Sequence, residues 1–159
     1  MIKLWAHECL RVFQDRLISD QDRLKFDELL KDVIKEKFKK AWNSIVEVEP
    51  LLFASFVPLV FPDGDNTKKP FNDLYCELYD RNKVKEKAES SLLDYNVTHQ
   101  GKKMNLVLFV SAIEHIVKIH RVITTEYGNA LLVGVGGSGR KSLTELATSI
   151  ALFDVFQIE

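Results

Sequence analysis

The chain has 159 residues, 46% hydrophobic and 28% charged, which is close to average soluble globular proteins and excludes the depleted composition of disordered chains. The net charge of -1 gives no electrostatic field of one sign that would attract nucleic acid or anionic lipid. The longest apolar stretches, Leu51–Phe61 and Leu106–Val110, are shorter than a membrane span of ~20 residues. Neither nucleic acid nor a membrane is therefore an expected partner. Two cysteines, Cys9 and Cys76, do not make a disulfide framework, and a reducing compartment fits best.

Three segments in the first hundred residues have the apolar spacing of amphipathic helices. The first runs from Leu4 to Leu17, and the second follows Ser19 and continues to about Lys40. The third is indicated by Val84, Ala88, Leu92 and Tyr95. Between the second and third, two prolines and Asp63–Thr67 predict a buried extended segment followed by an exposed loop, whereas 72–80 fits a strand or a helical turn.

A polar loop from Asn96 to Lys103 is expected to separate two subdomains. After it, Met104–His120 shows the strongest helical pattern in the chain. Ala130–Val133 then predicts a strand, a glycine-dense turn follows, and Lys141–Ala151 predicts a helix. Phe153–Ile158 fits a second strand, so the predicted fold class is α/β with a helical N-terminal part.

The glycine-dense turn is the strongest candidate site, because a strand, a glycine loop and a helix in this order are the context of a phosphate-binding loop. Glycines let several backbone N–H groups face one point, and the helix N-terminus adds partial positive charge. Four glycines fall within six residues here. The predicted phosphate-binding residues are Gly134, Gly136, Gly137, Ser138, Gly139, Arg140, Lys141 and Ser142.

The end of this turn departs from the common P-loop pattern, in which the last glycine is followed by Lys and then by Ser or Thr, whose hydroxyl binds magnesium. Arg140 and Lys141 occupy those two places. Arg140 keeps a positive charge with a different geometry, and Lys141 cannot ligate a metal. Ser142 could do so only if the loop were shifted by one residue, so the magnesium ligand stays open.

Other sites are weaker. The turn can be an empty strand-to-helix connection, or a dinucleotide fingerprint at Gly134, Gly136 and Gly139 whose acidic partner would be Glu159. Phe153–Glu159 resembles a Walker B strand but follows the loop helix too directly. His115 with His120, and the run His7–Cys9, contain metal-ligand residue types without the spacing of a shared site.

Three stretches resemble dynein heavy chains of the axonemal type. Gly128–Thr144 looks like the start of their fourth AAA+ module, in the style where Arg replaces the Walker lysine. Met104–Phe109 with Glu114–His115 and Ile119–Val122 resembles the helix leading into that module, and Leu4–Leu17 resembles the closing helical subdomain of the third module.

The resemblance implies the following organisation. Residues 1–100 would be the C-terminal helical subdomain of one AAA+ module, and residues 101–159 the N-terminal part of the next: lead-in helix, P-loop strand, P-loop, helix and second strand of an incomplete parallel-sheet subdomain. The adenine of ATP or ADP would lie near Val122 and Ile123, and Arg11 either lies near the third module's nucleotide or forms a surface salt bridge.

The function implied is part of a ring-shaped, ATP-driven microtubule motor in the cytoskeleton of a cilium or flagellum, with a regulatory nucleotide site in the fourth module. Its partners would be neighbouring AAA+ modules of the same chain, microtubules bound through other parts of the chain, and dynein intermediate and light chains. Walker B and sensor residues are not expected within these 159 residues, so this segment alone should not hydrolyse ATP, and it has no predicted catalytic residue. A non-binding spacer module and a free-standing P-loop enzyme are the alternatives.

Overall fold

A computed structural model of the chain describes residues 1–57 and 74–158. These residues form the helices α1 (Ile2–Cys9), α2 (Asp20–Phe38), α3 (Trp42–Ile45), α4 (Arg81–Thr98), α5 (Val110–Thr124) and α6 (Arg140–Ile150), and the strands β1 (Phe53–Ala54) and β2 (Cys76–Glu77). A π-helical stretch, Leu10–Gln14, continues α1, and a 3-10 turn, Gln100–Lys102, follows α4. The loop predicted at Asp63–Thr67 lies outside the described residues.

The chain is divided into two compact units, Met1–Phe53 and Ala54–Glu159. The division differs from the boundary expected near residue 100, since α4 packs with α5 and α6 in the second unit. The assignment of residues to successive AAA+ modules stays a prediction.

The first unit confirms the two predicted N-terminal helices, because α1 with its π-helical continuation spans residues 2–14 and α2 spans residues 20–38. Ala6, Leu10, Leu30 and Ile34 are buried in this unit. His7 is fully buried, and its Nδ1 lies 3.0 Å from the carbonyl oxygen of Leu51. This histidine is therefore accommodated by packing and by a contact with the backbone.

The second unit is built on α5, which packs against α6 and α4. Its buried side chains repeat at helical spacing on all three helices: Val84, Ala88 and Tyr95 on α4, Ile113, Ile116 and Val117 on α5, and Leu143, Leu146 and Ala147 on α6. The third predicted helix is confirmed as α4, and Asp80 caps it by accepting bonds from the N–H groups of Asn82 and Lys83.

The helix predicted from Met104 begins only at Val110, so its predicted start is wrong. The side chain of Asn96 accepts a bond from Met104 N (2.7 Å) and donates one to Met104 O (2.9 Å). A helix starting at Met104 would need that carbonyl for the N–H four residues later. The bonds from α4 therefore hold this segment extended.

The strands predicted at Ala130–Val133 and Phe153–Ile158 are not formed in the structure. A strand needs neighbours for its backbone hydrogen bonds, and within residues 1–57 and 74–158 only β1 and β2 pair, in a two-stranded sheet. Leu131, Val133, Phe156 and Ile158 are exposed. The described residues are thus largely helical, and the parallel sheet of the predicted α/β fold is not seen in them.

Candidate functional site

The approach to the glycine loop is fixed by a sharp turn after α5. Thr125 N donates to Val122 O (3.2 Å), and Gly128 N donates to Thr125 O (2.9 Å). A Cβ at Gly128 would lie 1.8 Å from Val122 O, so no other residue fits this backbone. Gly128 therefore sets the direction in which the chain leaves α5.

Val122 and Ile123, the predicted neighbours of adenine, lie in the last turn of α5 and are partly exposed. None of the hydrogen bonds made by the glycine loop involves them. The structure places them before the Gly128 turn, and their role toward adenine stays a prediction.

The glycine loop itself takes backbone conformations that favour glycine. Gly137 and Gly139 have φ values of 76° and 79°, in the left-handed region. Ser138 N donates to Val135 O (3.3 Å), which closes a tight turn. Gly136 has a φ outside the left-handed region. Its surroundings are open, since a Cβ there would meet no atom within 4 Å.

The loop leads directly into α6, whose first turn offers backbone donors with no carbonyl partner within the helix. The bond from Leu143 N to Gly139 O (2.9 Å) is the first of the helix, so the N–H groups of Arg140, Lys141 and Ser142 precede the helical ladder. Gly139 occupies the N-cap and has no side chain to cap them. These donors and the helix dipole favour an anion at this point.

Arg140 lies across the loop. Its Nη2 donates to Val135 O (3.0 Å), and a Cβ on Gly134 would come within 3.3 Å of Ser138 Oγ and 3.4 Å of Arg140 Nη1. Gly134, Ser138 and Arg140 are therefore in close proximity, and their role in binding phosphate stays a prediction. A phosphate held here would replace Val135 O as an acceptor for the guanidinium.

The two residues after Arg140 settle the register of the loop. The helix begins at Arg140, so Lys141 is its second residue and Ser142 its third. Ser142 is about 100° around the helix and about 1.5 Å along its axis from Lys141. The loop is not shifted by one residue, and the place of the magnesium-binding hydroxyl is held by an ammonium, so magnesium does not fit the residues present.

Other candidates from the sequence are not brought into a site. His115 is exposed, whereas His120 is buried with its ring 4.9 Å from that of Phe56, and burial lowers the pKa of His120. Arg11 Nε lies 3.1 Å from Asp15 Oδ2, so Arg11 forms a salt bridge, but its side chain is only 8% exposed and the pair does not lie on the surface as that alternative expected. No group of three or more His, Cys, Asp or Glu side chains within residues 1–57 and 74–158 could hold a metal ion.

The sequence did not predict a cavity of about 550 Å³ in the second unit, lined by α4, by α5 and by the C-terminal end of α6. Tyr95 and His99 stack at its wall with ring centroids 4.2 Å apart, and Ser149–Leu152 line its other side. Burial raises the pKa of Tyr95, and the charge of Glu145 raises it further. The four-residue spacing of Tyr95, on α4, and His99, directly after it, could have indicated their stacking, but the cavity depends on how three helices pack.

Within the part of the chain that the structure describes, no helix combines the length and apolar character needed to cross a membrane.

Comparisons with known proteins show which family the chain resembles. Residues 104–159 match the family model described as the P-loop containing dynein motor region D4. The whole chain is 42% identical to dynein axonemal heavy chain 12 of Mus musculus and 41% identical to dynein axonemal heavy chain 1 of the same species. Over 98% of its length it is 39% identical to the dynein beta chain, flagellar outer arm, of Chlamydomonas reinhardtii.

The chain spans only 5%, 4% and 3% of these three relatives. The helical structure with a small two-stranded sheet is compatible with part of an AAA+ protein. With its full-length similarity to several axonemal heavy chains and its P-loop region, the chain belongs to the axonemal dynein heavy chain family.

Proposed function

We propose that the chain is part of an axonemal dynein motor ring and that Gly134–Ser142 is a regulatory binding site there for ATP or ADP. The observation that carries the proposal is a loop with two left-handed glycines, followed at once by an uncapped helix N-terminus, inside the region that matches a P-loop family model. By similarity the ring drives ATP-dependent movement on microtubules.

Each part of the loop has a role in holding phosphate. Gly137 and Gly139 allow the backbone to turn toward α6, and the N–H groups of the first turn of α6 donate to phosphate oxygens. Arg140 exchanges its bond to Val135 O for two bonds to a phosphate, which its planar guanidinium can make side by side. Val122 and Ile123 would contact the adenine.

A regulatory role is favoured over routine catalysis because the cation after the last glycine is a guanidinium. Its fork binds phosphate oxygens well but has a geometry different from the lysine ammonium of ordinary P-loops. Binding and release of nucleotide would then alter the packing of α6 against α5 and α4.

The names of the relatives, axonemal and flagellar, support placement in the cytoskeleton of a cilium or flagellum. The partners proposed for the whole heavy chain are its neighbouring AAA+ modules, microtubules bound elsewhere along the chain, and dynein intermediate and light chains.

A second candidate is a spacer module whose loop stays empty. It is favoured by one observation: the guanidinium of Arg140 is already bonded to Val135 O, so the loop closes on itself. In this case the segment would contribute only packing to the ring.

Hydrogen–deuterium exchange of the full heavy chain carrying this segment separates the two. Nucleotide at millimolar concentration should slow amide exchange in peptides from residues 134–143. Arg140→Ala should weaken the affinity roughly ten- to hundredfold, because a hydrogen bond to a charged group contributes about 1.5–3 kcal/mol. Lys102→Ala, which removes an exposed cation outside the loop, is the matched control. Unchanged exchange at residues 134–143 would favour the spacer.

A further inference from the structure

The place where a P-loop normally holds magnesium has the wrong chemistry for a cation in this chain. The hydroxyl that ligates the metal belongs to the residue after the P-loop lysine, and this residue is Lys141 here. A protonated ammonium has three donors and no lone pair, so it cannot ligate a cation, and its positive charge repels one. Lys141 is unsuitable for the metal ion alone, since phosphate oxygens can accept hydrogen bonds from its ammonium group.

No neighbouring hydroxyl on α6 takes over the metal's place. Ser142 is displaced around the helix by about 100° from the required position, because the helix begins at Arg140 without a shift. Thr144 already donates its hydroxyl to Arg140 O (2.8 Å). The register of α6 therefore leaves Lys141 as the side chain at this position.

The charge of Lys141 is available to a ligand. Lys141 is exposed, and within residues 1–57 and 74–158 its side chain has no hydrogen bond or ion pair. Glu145, one turn further along α6, does not pair with it, and instead its charge acts on Tyr95 of α4. Arg140 and Lys141 are the ionisable side chains between residues 134 and 142, so the loop carries two cations and no carboxylate.

Resting on the proposed function, we propose that this loop binds the nucleotide without magnesium, with the Lys141 ammonium taking the charge-neutralising place of the metal ion. The ligand form recognised is the metal-free nucleoside di- or triphosphate. Two cationic side chains and the N-terminus of α6 supply the positive charge that a lysine and a metal ion supply in an ordinary P-loop.

The test compares ADP binding in excess magnesium with ADP binding in EDTA, using the full heavy chain and amide exchange of residues 134–143 as the local readout. The affinity of the unaltered loop should be the same in both buffers to within about threefold, because no metal contributes to binding. A P-loop protein with the ordinary Lys–Thr pair, measured in the same buffers, should lose affinity in EDTA.

Lys141→Thr restores the ordinary hydroxyl and should make binding magnesium-dependent, with an affinity at least about tenfold weaker in EDTA than in magnesium. Lys102→Thr is the matched control and should behave as the unaltered chain. Exchange of residues 111–120, in α5, reports that the variants remain folded.

The possible failures are distinct. Protection of the unaltered loop that appears only with magnesium would overturn the metal-free inference and leave the nucleotide site standing. Protection in neither buffer would refute the nucleotide site and the inference with it. Equal behaviour of Lys141→Thr and the unaltered chain in both buffers would show that Lys141 does not replace the metal.

Discussion

The two segments that flank α6, 130–135 and 153–158, are richer in apolar residues than the helices α4, α5 and α6, yet the segments are exposed and the helices bury their apolar side chains. Leu146 on α6 is 0% exposed, whereas Leu131 before the loop is 88% exposed. A helix satisfies its own backbone and buries a side-chain stripe against any neighbouring helix, whereas a strand needs a partner strand first. Apolar sequence therefore produces a core only where the backbone is also satisfied.

The largest expected effect is the loss of stability caused by truncating a buried side chain of the helices. Leu146→Ala should lower the free energy of unfolding of the chain by about 2–5 kcal/mol, because it removes buried methyl groups and leaves a cavity between the helices. Urea unfolding followed by circular dichroism measures the change.

Leu131→Ala is the matched control, with the same chemical change at an exposed position, and should stay within about 0.5 kcal/mol. Equal losses for the two variants would show that the 130–135 segment is packed in solution.

A smaller effect is expected in the glycine loop, where backbone conformation and not burial decides the outcome. Gly137→Ala should destabilise the chain by about 1–2 kcal/mol, because its φ of 76° is left-handed and an added Cβ is strained there. The same urea unfolding measurement applies.

Gly136→Ala provides the comparison for that variant. A Cβ would meet no atom within 4 Å at either glycine, but only Gly137 has a positive φ. If both alanines cost the same, the difference in loop backbone would be contradicted.

The smallest expected effect is a pH dependence of the free energy of unfolding that is caused by His120 on α5. Burial lowers the pKa of His120 below its ordinary value of 6.5, so the folded chain binds this proton less readily than the unfolded chain. The free energy of unfolding should therefore decline as the pH falls through about 6.5 toward the lower folded pKa of His120. Above about 6.5 this group should cause no loss of stability.

His120→Leu should reduce this slope in unfolding experiments between neutral and mildly acidic pH, whereas His115→Ala, at an exposed position, serves as the control. A slope unchanged by His120→Leu would show that other groups cause the pH dependence.

The success of the sequence predictions follows the same physical division. The N-terminal helices and α4 could be predicted because 3.6-residue periodicity is a local property of the sequence. The start of α5 could not, since it depends on two bonds from Asn96 to the backbone of Met104. The candidate site was predicted as a set of neighbouring residues, whereas the bond from Arg140 to Val135 O and the left-handed conformations of the glycines are seen only in the folded loop.

The sequence by itself determined which residues can form the loop and which charge it carries, because residue type and order along the chain are local. Only the folded structure decided that α6 begins at Arg140, with Lys141 as its second residue, and that Leu131 stays exposed while Leu146 is buried. The start of α6 depends on the local bond from Leu143 N to Gly139 O, whereas the burial of Leu146 depends on contacts between helices that are distant in the sequence, and the exposure of 130–135 follows because its backbone pairs with no other strand among the described residues.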